Sequence, residues 1–130
     1  IEKTNAGKVK EWIHFELTSQ DINNTAIPLS WKDCMENEYL PKVINLKNKL
    51  HTLASHWKKI AMLARTHGQP ASPTTLGKEI MVFVERIENQ IQQFSYIPFS
   101  GKFGGATGNF NAHVAAYPKT DWVSLANTFL

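Results

Sequence analysis

The pattern that most constrains the fold is a stripe of apolar residues between positions 76 and 94. These residues recur every three or four positions, so they fall on one face of an α-helix. They are Leu76, Ile80, Phe83, Val84, Ile87, Ile91 and Phe94. Charged and amide side chains occupy the other faces, which is typical of a helix that packs against other helices. The stripe predicts a long helix that ends before Pro98.

Other segments repeat this helical spacing. From Tyr39 to Ile60 one face is apolar, and Pro41 lies where a first helical turn tolerates proline. An earlier helix is predicted from a cap at Thr18 or Ser19, with Asp21 in its first turn, and a last one from Trp122 to Leu130. Strand signal is confined to residues 61–65. The chain is therefore predicted to be all-α, built from long antiparallel helices.

Length and composition exclude several classes of protein. The chain has 130 residues, enough for one domain at most, and 42% of them are hydrophobic. It contains no run of about 20 apolar residues that could span a bilayer, and no signal-peptide pattern. A single cysteine, Cys34, rules out an internal disulfide and fits a reducing cytoplasm. Its helical context predicts that Cys34 is buried.

The net charge of +3 comes from lysines spread along the chain. A nucleic-acid binder would gather its basic residues on one surface, so no nucleic-acid partner is predicted. His51 and His56 are five residues apart, which places them on different helix faces and argues against a metal pair. We predict neither a metal nor a cofactor.

A histidine in a short polar segment is the strongest candidate for chemistry. Gly68 lets the backbone turn directly after His67, and the two prolines that follow stiffen the path. We expect Ser72 to cap the next helix, with Pro73 in its first position. A proton donor needs such a fixed mounting, and histidine titrates near neutral pH. On turn chemistry alone, a histidine that only hydrogen-bonds within the loop remains an alternative.

The glycine-rich segment 101–108 predicts a loop. It lacks the order of glycine, lysine and hydroxyl residues that cradles a nucleotide phosphate. Two interpretations stay open: a turn beside the substrate, with Lys102 and Asn109 as polar contacts, or a tight structural crossing that needs glycine for close packing.

Three segments together resemble the fumarase/aspartase superfamily of lyases, and in particular the branch that acts on succinyl nucleotides. They are HFELTSQDINN at 14–24, THGQPASPTTLGKE at 66–79 and GKFGGATGNFNAH at 101–113. Their order and spacing are also those of the family, and they extend over nearly the whole chain.

The resemblance implies elimination of fumarate by general acid and base catalysis, without a cofactor, in a homotetramer whose active sites combine segments of several subunits. His67 matches the family's general acid. Thr18, Ser19, His14, Thr66 and Gln69 match substrate-binding positions, and Lys102 and Asn109 are further candidates for polar contacts.

The family's serine-rich loop, which supplies the base, has no counterpart in this sequence. We therefore expect residues 1–130 to be a central part of a longer cytoplasmic enzyme, inactive by themselves. Two alternatives stay open: another fumarate-releasing member such as argininosuccinate lyase, or a non-catalytic helical bundle that drives oligomerisation.

Overall fold

The structure is a computed structural model that describes residues 6–130. The first five residues of the chain lie outside the described part. A 3-10 helix (Ala6–Trp12) leads in, and a π-helical turn (Met35–Tyr39) follows the first α-helix. The α-helices are α1 (Ser19–Cys34), α2 (Leu40–His56), α3 (Leu76–Phe94), α4 (Asn111–Ala116) and α5 (Trp122–Phe129), and the strands are β1 (Ala61–Thr66) and β2 (Gln69–Thr75). The predicted helical class is confirmed, with the addition of one β-hairpin.

The chain divides into two compact units. The central unit comprises Asp33–Pro98 and contains α2, the hairpin and α3. The terminal unit combines the chain up to Lys32 with Phe99–Leu130. It contains most of α1, the glycine segment, α4 and α5.

In the central unit α2 and α3 run antiparallel. Gly77, at the start of α3, lies against the end of α2, where a Cβ on Gly77 would be 2.2 Å from the carbonyl oxygen of Ala54. Only glycine allows this close contact at position 77, because a side chain there would clash with the backbone of α2. Further along, Lys47 of α2 forms an ion pair with Glu88 of α3. The predicted stripe is confirmed, since α3 spans Leu76–Phe94 and buries Val84.

The start of α3 differs from the prediction. Thr75, in an extended conformation, is the N-cap, and its hydroxyl accepts a hydrogen bond from the Lys78 amide at 3.3 Å. Ser72 and Pro73 instead belong to β2, where Pro73 pairs with Leu63. The expectation of a Ser72 cap was wrong because pairing with β1 keeps this segment extended. A two-stranded sheet tolerates proline because each strand has a free edge.

The buried part of the terminal unit centres on the ring of His113. This residue is 1% exposed, and its ring lies 4.9 Å from that of Trp122, 5.4 Å from Phe103 and 5.5 Å from Phe110, measured between centroids. These contacts pack the glycine segment against α4 and α5. Aromatic pairs in this edge-to-face arrangement are favourable beyond the area that they bury.

One smaller prediction was tested along α1. Cys34, at its end, is exposed, so the predicted burial was wrong. Periodicity assigns a residue to a helix face but does not say whether that face is covered. Pro28 lies inside α1, which continues through it to Cys34. None of the helices within residues 6–130 has the length and hydropathy needed to cross a bilayer.

Candidate active site

His67 lies at the tip of the hairpin. Thr66 and Gln69 form the last pair of the antiparallel ladder, and His67 and Gly68 are the two residues between them. Their φ angles are 50° and 78°. Positive φ at both central positions is what a type I′ turn requires, and this turn matches the twist of a hairpin. The predicted tight turn at His67 is confirmed.

Few contacts hold this turn. The side chains of Thr66, His67 and Gln69 are exposed. The guanidinium of Arg65 donates a hydrogen bond to the carbonyl oxygen of Gly68 at 3.1 Å, which closes the turn from one side. A residue other than glycine in the left-handed region stores about 1–3 kcal/mol of strain. The backbone at His67 is thus fixed by the ladder, while its imidazole remains accessible.

Sequence reasoning did not single out Arg65. An arginine three residues before a glycine is no signal in itself. Its role depends on the hairpin, which brings its side chain back to the Gly68 carbonyl.

The second set of candidate residues surrounds the N-terminus of α1. Thr18 precedes the helix, and both its amide and its hydroxyl donate hydrogen bonds of 2.9 Å to Oδ2 of Asp21. A carboxylate in the third helical position that reaches back to the cap amide is one half of a capping box. The predicted helix start, with Asp21 in its first turn, is confirmed, and Asp21 organises the cap. Ser19 and His14 are exposed on either side of it.

Asp21 also binds the glycine segment. Its Oδ1 accepts hydrogen bonds from Nζ of Lys102 at 2.7 Å and from the amides of Gly104 and Gly105 at 3.0 and 3.2 Å. Successive backbone N–H groups of this kind form a concave nest for an anion. The anion in this nest is the carboxylate of Asp21, which is completely buried.

The surroundings of Asp21 act on its pKa in opposite directions. Burial disfavours the charged form and raises the pKa. The hydrogen bonds from Lys102, Thr18 and Gly104 stabilise the charged form and outweigh burial, so the pKa of Asp21 lies well below its usual range. Asp21 is therefore a carboxylate at neutral pH, paired with a lysine whose side chain is 32% exposed.

The glycine segment forms a tight crossing at Gly104 and Gly105, where a Cβ would lie 3.1 Å from Gly108 and 3.2 Å from His113, as the second of the two interpretations above expects. Contact of this loop with a substrate stays a prediction.

Lys102 makes further hydrogen bonds within the protein. Its ammonium donates to the carbonyl oxygen of Gly105. Its backbone carbonyl accepts from the hydroxyl of Thr25 at 3.3 Å, and its amide donates to the same hydroxyl at 3.4 Å. Asn109 lies exposed in the loop.

A cavity of about 270 Å³ lies beside Thr18. Its wall includes Leu17, Thr18, Gly105, Thr107, Asn111 and His113. The ring nitrogens of His113 have no hydrogen-bond partner among the described residues. The aromatic contacts of His113 with Phe103 and Phe110 indicate that it supports the loop.

The candidate residues thus form two sets, one in each unit. Thr66, His67 and Gln69 lie together at the hairpin tip of the central unit. The terminal unit carries His14, Thr18, Ser19, Lys102 and Asn109. Within the described residues, His, Cys, Asp and Glu side chains form no group of three that could hold a metal ion.

Comparison with known proteins assigns the chain to a family. The family model described as "Lyase" matches residues 2–129. The chain therefore belongs to this family of lyases.

Its relatives in that family include enzymes named adenylosuccinate lyase. The chain is 56% identical to that of Dictyostelium discoideum over 94% of its own length and 27% of the relative's. It is 43% identical to that of Escherichia coli strain K12 over the same shares of the two chains. For Legionella pneumophila strain Philadelphia 1 the identity is 46%, over 85% of this chain and 24% of the relative. The chain spans about a quarter of the length of the curated relatives that it matches.

Proposed function

We propose that the full-length protein containing this chain releases fumarate from adenylosuccinate to give AMP, and from the succinyl-carboxamide nucleotide of purine synthesis. The observation that carries the proposal is the 56% identity, over 94% of this chain, to an enzyme named adenylosuccinate lyase. The geometry of the His67 turn supports it, because the turn offers an accessible imidazole on a fixed backbone.

In the proposed elimination a base removes a proton from the carbon beside a succinyl carboxylate. The electron pair forms the double bond of fumarate as the carbon–nitrogen bond breaks. His67 donates a proton to the departing nitrogen, which would otherwise leave as a strongly basic anion. The base is expected from a serine-rich loop outside residues 1–130.

The residues on each side of His67 are proposed to contact the substrate. Thr66 and Gln69 are paired across the hairpin and exposed, and they flank the two-residue turn that carries His67. The ladder fixes their spacing, and fixed spacing is what substrate orientation demands.

The N-terminus of α1 is proposed to bind the anionic succinyl part. The first amides of a helix lack acceptors within the helix, and its dipole favours an anion there. Thr18 donates its hydroxyl proton to Asp21, so its oxygen is left to accept from a donor group of the substrate. The hydroxyl group of Ser19 is exposed and is able to donate a hydrogen bond to a carboxylate of the substrate. His14 and Asn109 remain candidates for further contacts.

We also propose a homotetramer with shared active sites, in the cytoplasm. In the central unit, apolar side chains line an open groove of about 470 Å³ between α2 and α3, among them Leu40, Val43, Ile87, Ile91 and Phe94. Phe83 on α3 is 53% exposed. Sedimentation of the full-length protein tests this. A Phe83→Glu variant should dissociate more readily than wild type, and a wild-type protein that sediments as a monomer would contradict the proposal.

The activity is tested by following fumarate release from adenylosuccinate and, in parallel, from argininosuccinate. Release from adenylosuccinate alone is expected. Release from argininosuccinate alone would move the protein to another branch of the family, and release from neither by a folded protein would favour a non-catalytic role. The isolated 130-residue chain should be inactive, so robust turnover by it would contradict the proposed division of the active site.

A further inference from the structure

The proposed chemistry does not use the ion pair between Asp21 and Lys102. Yet this pair joins residues far apart in the sequence, and its carboxylate is completely buried. Asp21 lies in the first turn of α1, next to the end of the helix where the proposed function places an anion. The charge balance at this point therefore bears directly on substrate binding.

A carboxylate in the first turn of a helix favours folding but opposes the binding of a second anion at the same end. The N-terminus of a helix carries only about half an elementary positive charge. The full negative charge of Asp21 would more than cancel it. Because Asp21 is buried, solvent and salt screen its charge poorly, so its effect reaches the neighbouring anion site.

Lys102 supplies the missing positive charge. Its ammonium lies 2.7 Å from Oδ1 of Asp21 and also donates to the carbonyl oxygen of Gly105. Two of its three N–H donors are thus used within the protein. Its backbone is held in turn by Thr25, one helical turn after Asp21. Hydrogen bonds thus hold both the ammonium group and the backbone of Lys102. This arrangement suits a counter-ion of Asp21 better than a side chain that reaches out to bind the substrate.

We infer that Lys102 is a positioning residue that neutralises Asp21 and so keeps the N-terminus of α1 open to the succinyl carboxylates. It does not contact the substrate. This inference rests on the proposed function for the location of the anion. It replaces the direct contact that the sequence suggested for Lys102.

The test uses charge variants of the full-length protein and succinate as the probe, titrated by calorimetry. Lys102→Met leaves the charge of Asp21 uncompensated, so succinate should bind about tenfold more weakly or worse. Removing both charges, in Asp21→Asn with Lys102→Met, should restore most of the affinity. The carbonyl of an Asn at this position still accepts from Gly104 and Gly105. Lys102→Arg keeps the cation and should bind better than Lys102→Met.

Kinetics separate this role from direct contact and from a general loss of structure. With adenylosuccinate, Lys102→Met should raise KM with a smaller change in kcat. A double variant that binds succinate as weakly as Lys102→Met, or a single variant whose kcat falls while KM is unchanged, would overturn the inference. Lys42→Met is the matched control, because it breaks an exposed pair with Glu38 and should leave succinate binding unchanged.

A further variant keeps the test decisive if Lys102→Met does not fold. Asp21→Asn removes the anion and leaves the cation, so succinate should bind at least as tightly as in wild type; weaker binding would overturn the inference. The proposed function fails separately, if wild type releases no fumarate from adenylosuccinate. In that case the succinate affinities still decide the role of Lys102, and wild type that does not bind succinate overturns the inference as well.

Discussion

His67 lies at the exposed tip of a two-residue turn, whereas Asp21 lies buried in the first turn of α1. The turn is held by the strand ladder and by the bond from Arg65, with a strained backbone at His67 itself. Asp21 is held by Lys102, by Thr18 and by two backbone amides of the glycine segment. The hairpin turn keeps the imidazole accessible and has a strained backbone. Around Asp21 the carboxylate is inaccessible to solvent, and its hydrogen bonds hold the backbone in place.

The difference predicts that substitutions in the two regions will separate activity from stability. A group that transfers a proton must be reachable, so its loss should affect turnover and leave the fold intact. A buried carboxylate that several donors share should have the opposite effect. The region that does the chemistry is thus expected to be the one with fewer contacts.

The largest effect is expected from His67→Asn in the full-length protein. Asparagine tolerates the left-handed conformation, so this change removes the imidazole and keeps the turn. Turnover should fall by about 10²–10⁴-fold, the usual contribution of general acid catalysis. Steady-state kinetics give the loss, and denaturant unfolding should show little change. Near-normal turnover would remove His67 from the mechanism. It would also contradict the expectation that the exposed turn does the chemistry.

The next largest effect is expected from Asp21→Ala. It leaves Lys102 without its counter-ion and the amides of Gly104, Gly105 and Thr18 without their acceptor. Removal of one partner of a buried pair destabilises a protein by about 3–5 kcal/mol. Denaturant unfolding at matched protein concentration measures the loss. The control is Glu38→Ala, which breaks an exposed pair with Lys42 and should leave stability nearly unchanged. Equal effects of the two changes would mean that burial of Asp21 contributes nothing.

Two glycines of similar conformation sharpen the comparison. Gly68 in the turn and Gly105 in the nest have φ angles of 78° and 76°. A Cβ at Gly68 would meet no atom of the described residues within 4 Å, whereas at Gly105 it would lie 3.2 Å from Cε1 of His113, which is surrounded by aromatic rings. Gly68→Ala should therefore cost only the strain, about 1–2 kcal/mol. Gly105→Ala should cost about 1–3 kcal/mol more, from overpacking. Unfolding of both variants measures this, and an equal loss would show that His113 moves aside freely.

The sequence predicted these two regions to different depths. The bounds of α3 follow from its apolar stripe, and the turn at His67 follows from the glycine next to it, because both signals are local. Whether the cap of α3 lies at Ser72 or Thr75 depends on pairing with β1. The prediction of a Ser72 cap used only the residue types near it, and it was therefore wrong. The bond between Asp21 and Lys102 joins positions 81 residues apart, and no spacing rule contains it.

The smallest effect, and the one that isolates Asp21, is the dependence of stability on pH. The pKa of Asp21 is lowered in the folded protein, while in the unfolded chain it is about 3.9. The stability that this carboxylate contributes is therefore complete above about pH 4. It is lost as the pH falls toward the folded pKa, because the unfolded chain then binds the proton first. The slope for one such group is at most about 1.4 kcal/mol per pH unit. Asp21→Asn should remove that slope from the acid side of the stability curve.

The control is Glu38→Gln. It also removes a carboxylate whose pKa is lowered, here by exposed Lys42, and any effect that it has should vanish in about 1 M salt. An acid slope in wild type that high salt abolishes, or that Asp21→Asn leaves in place, would show that the buried network does not govern acid stability.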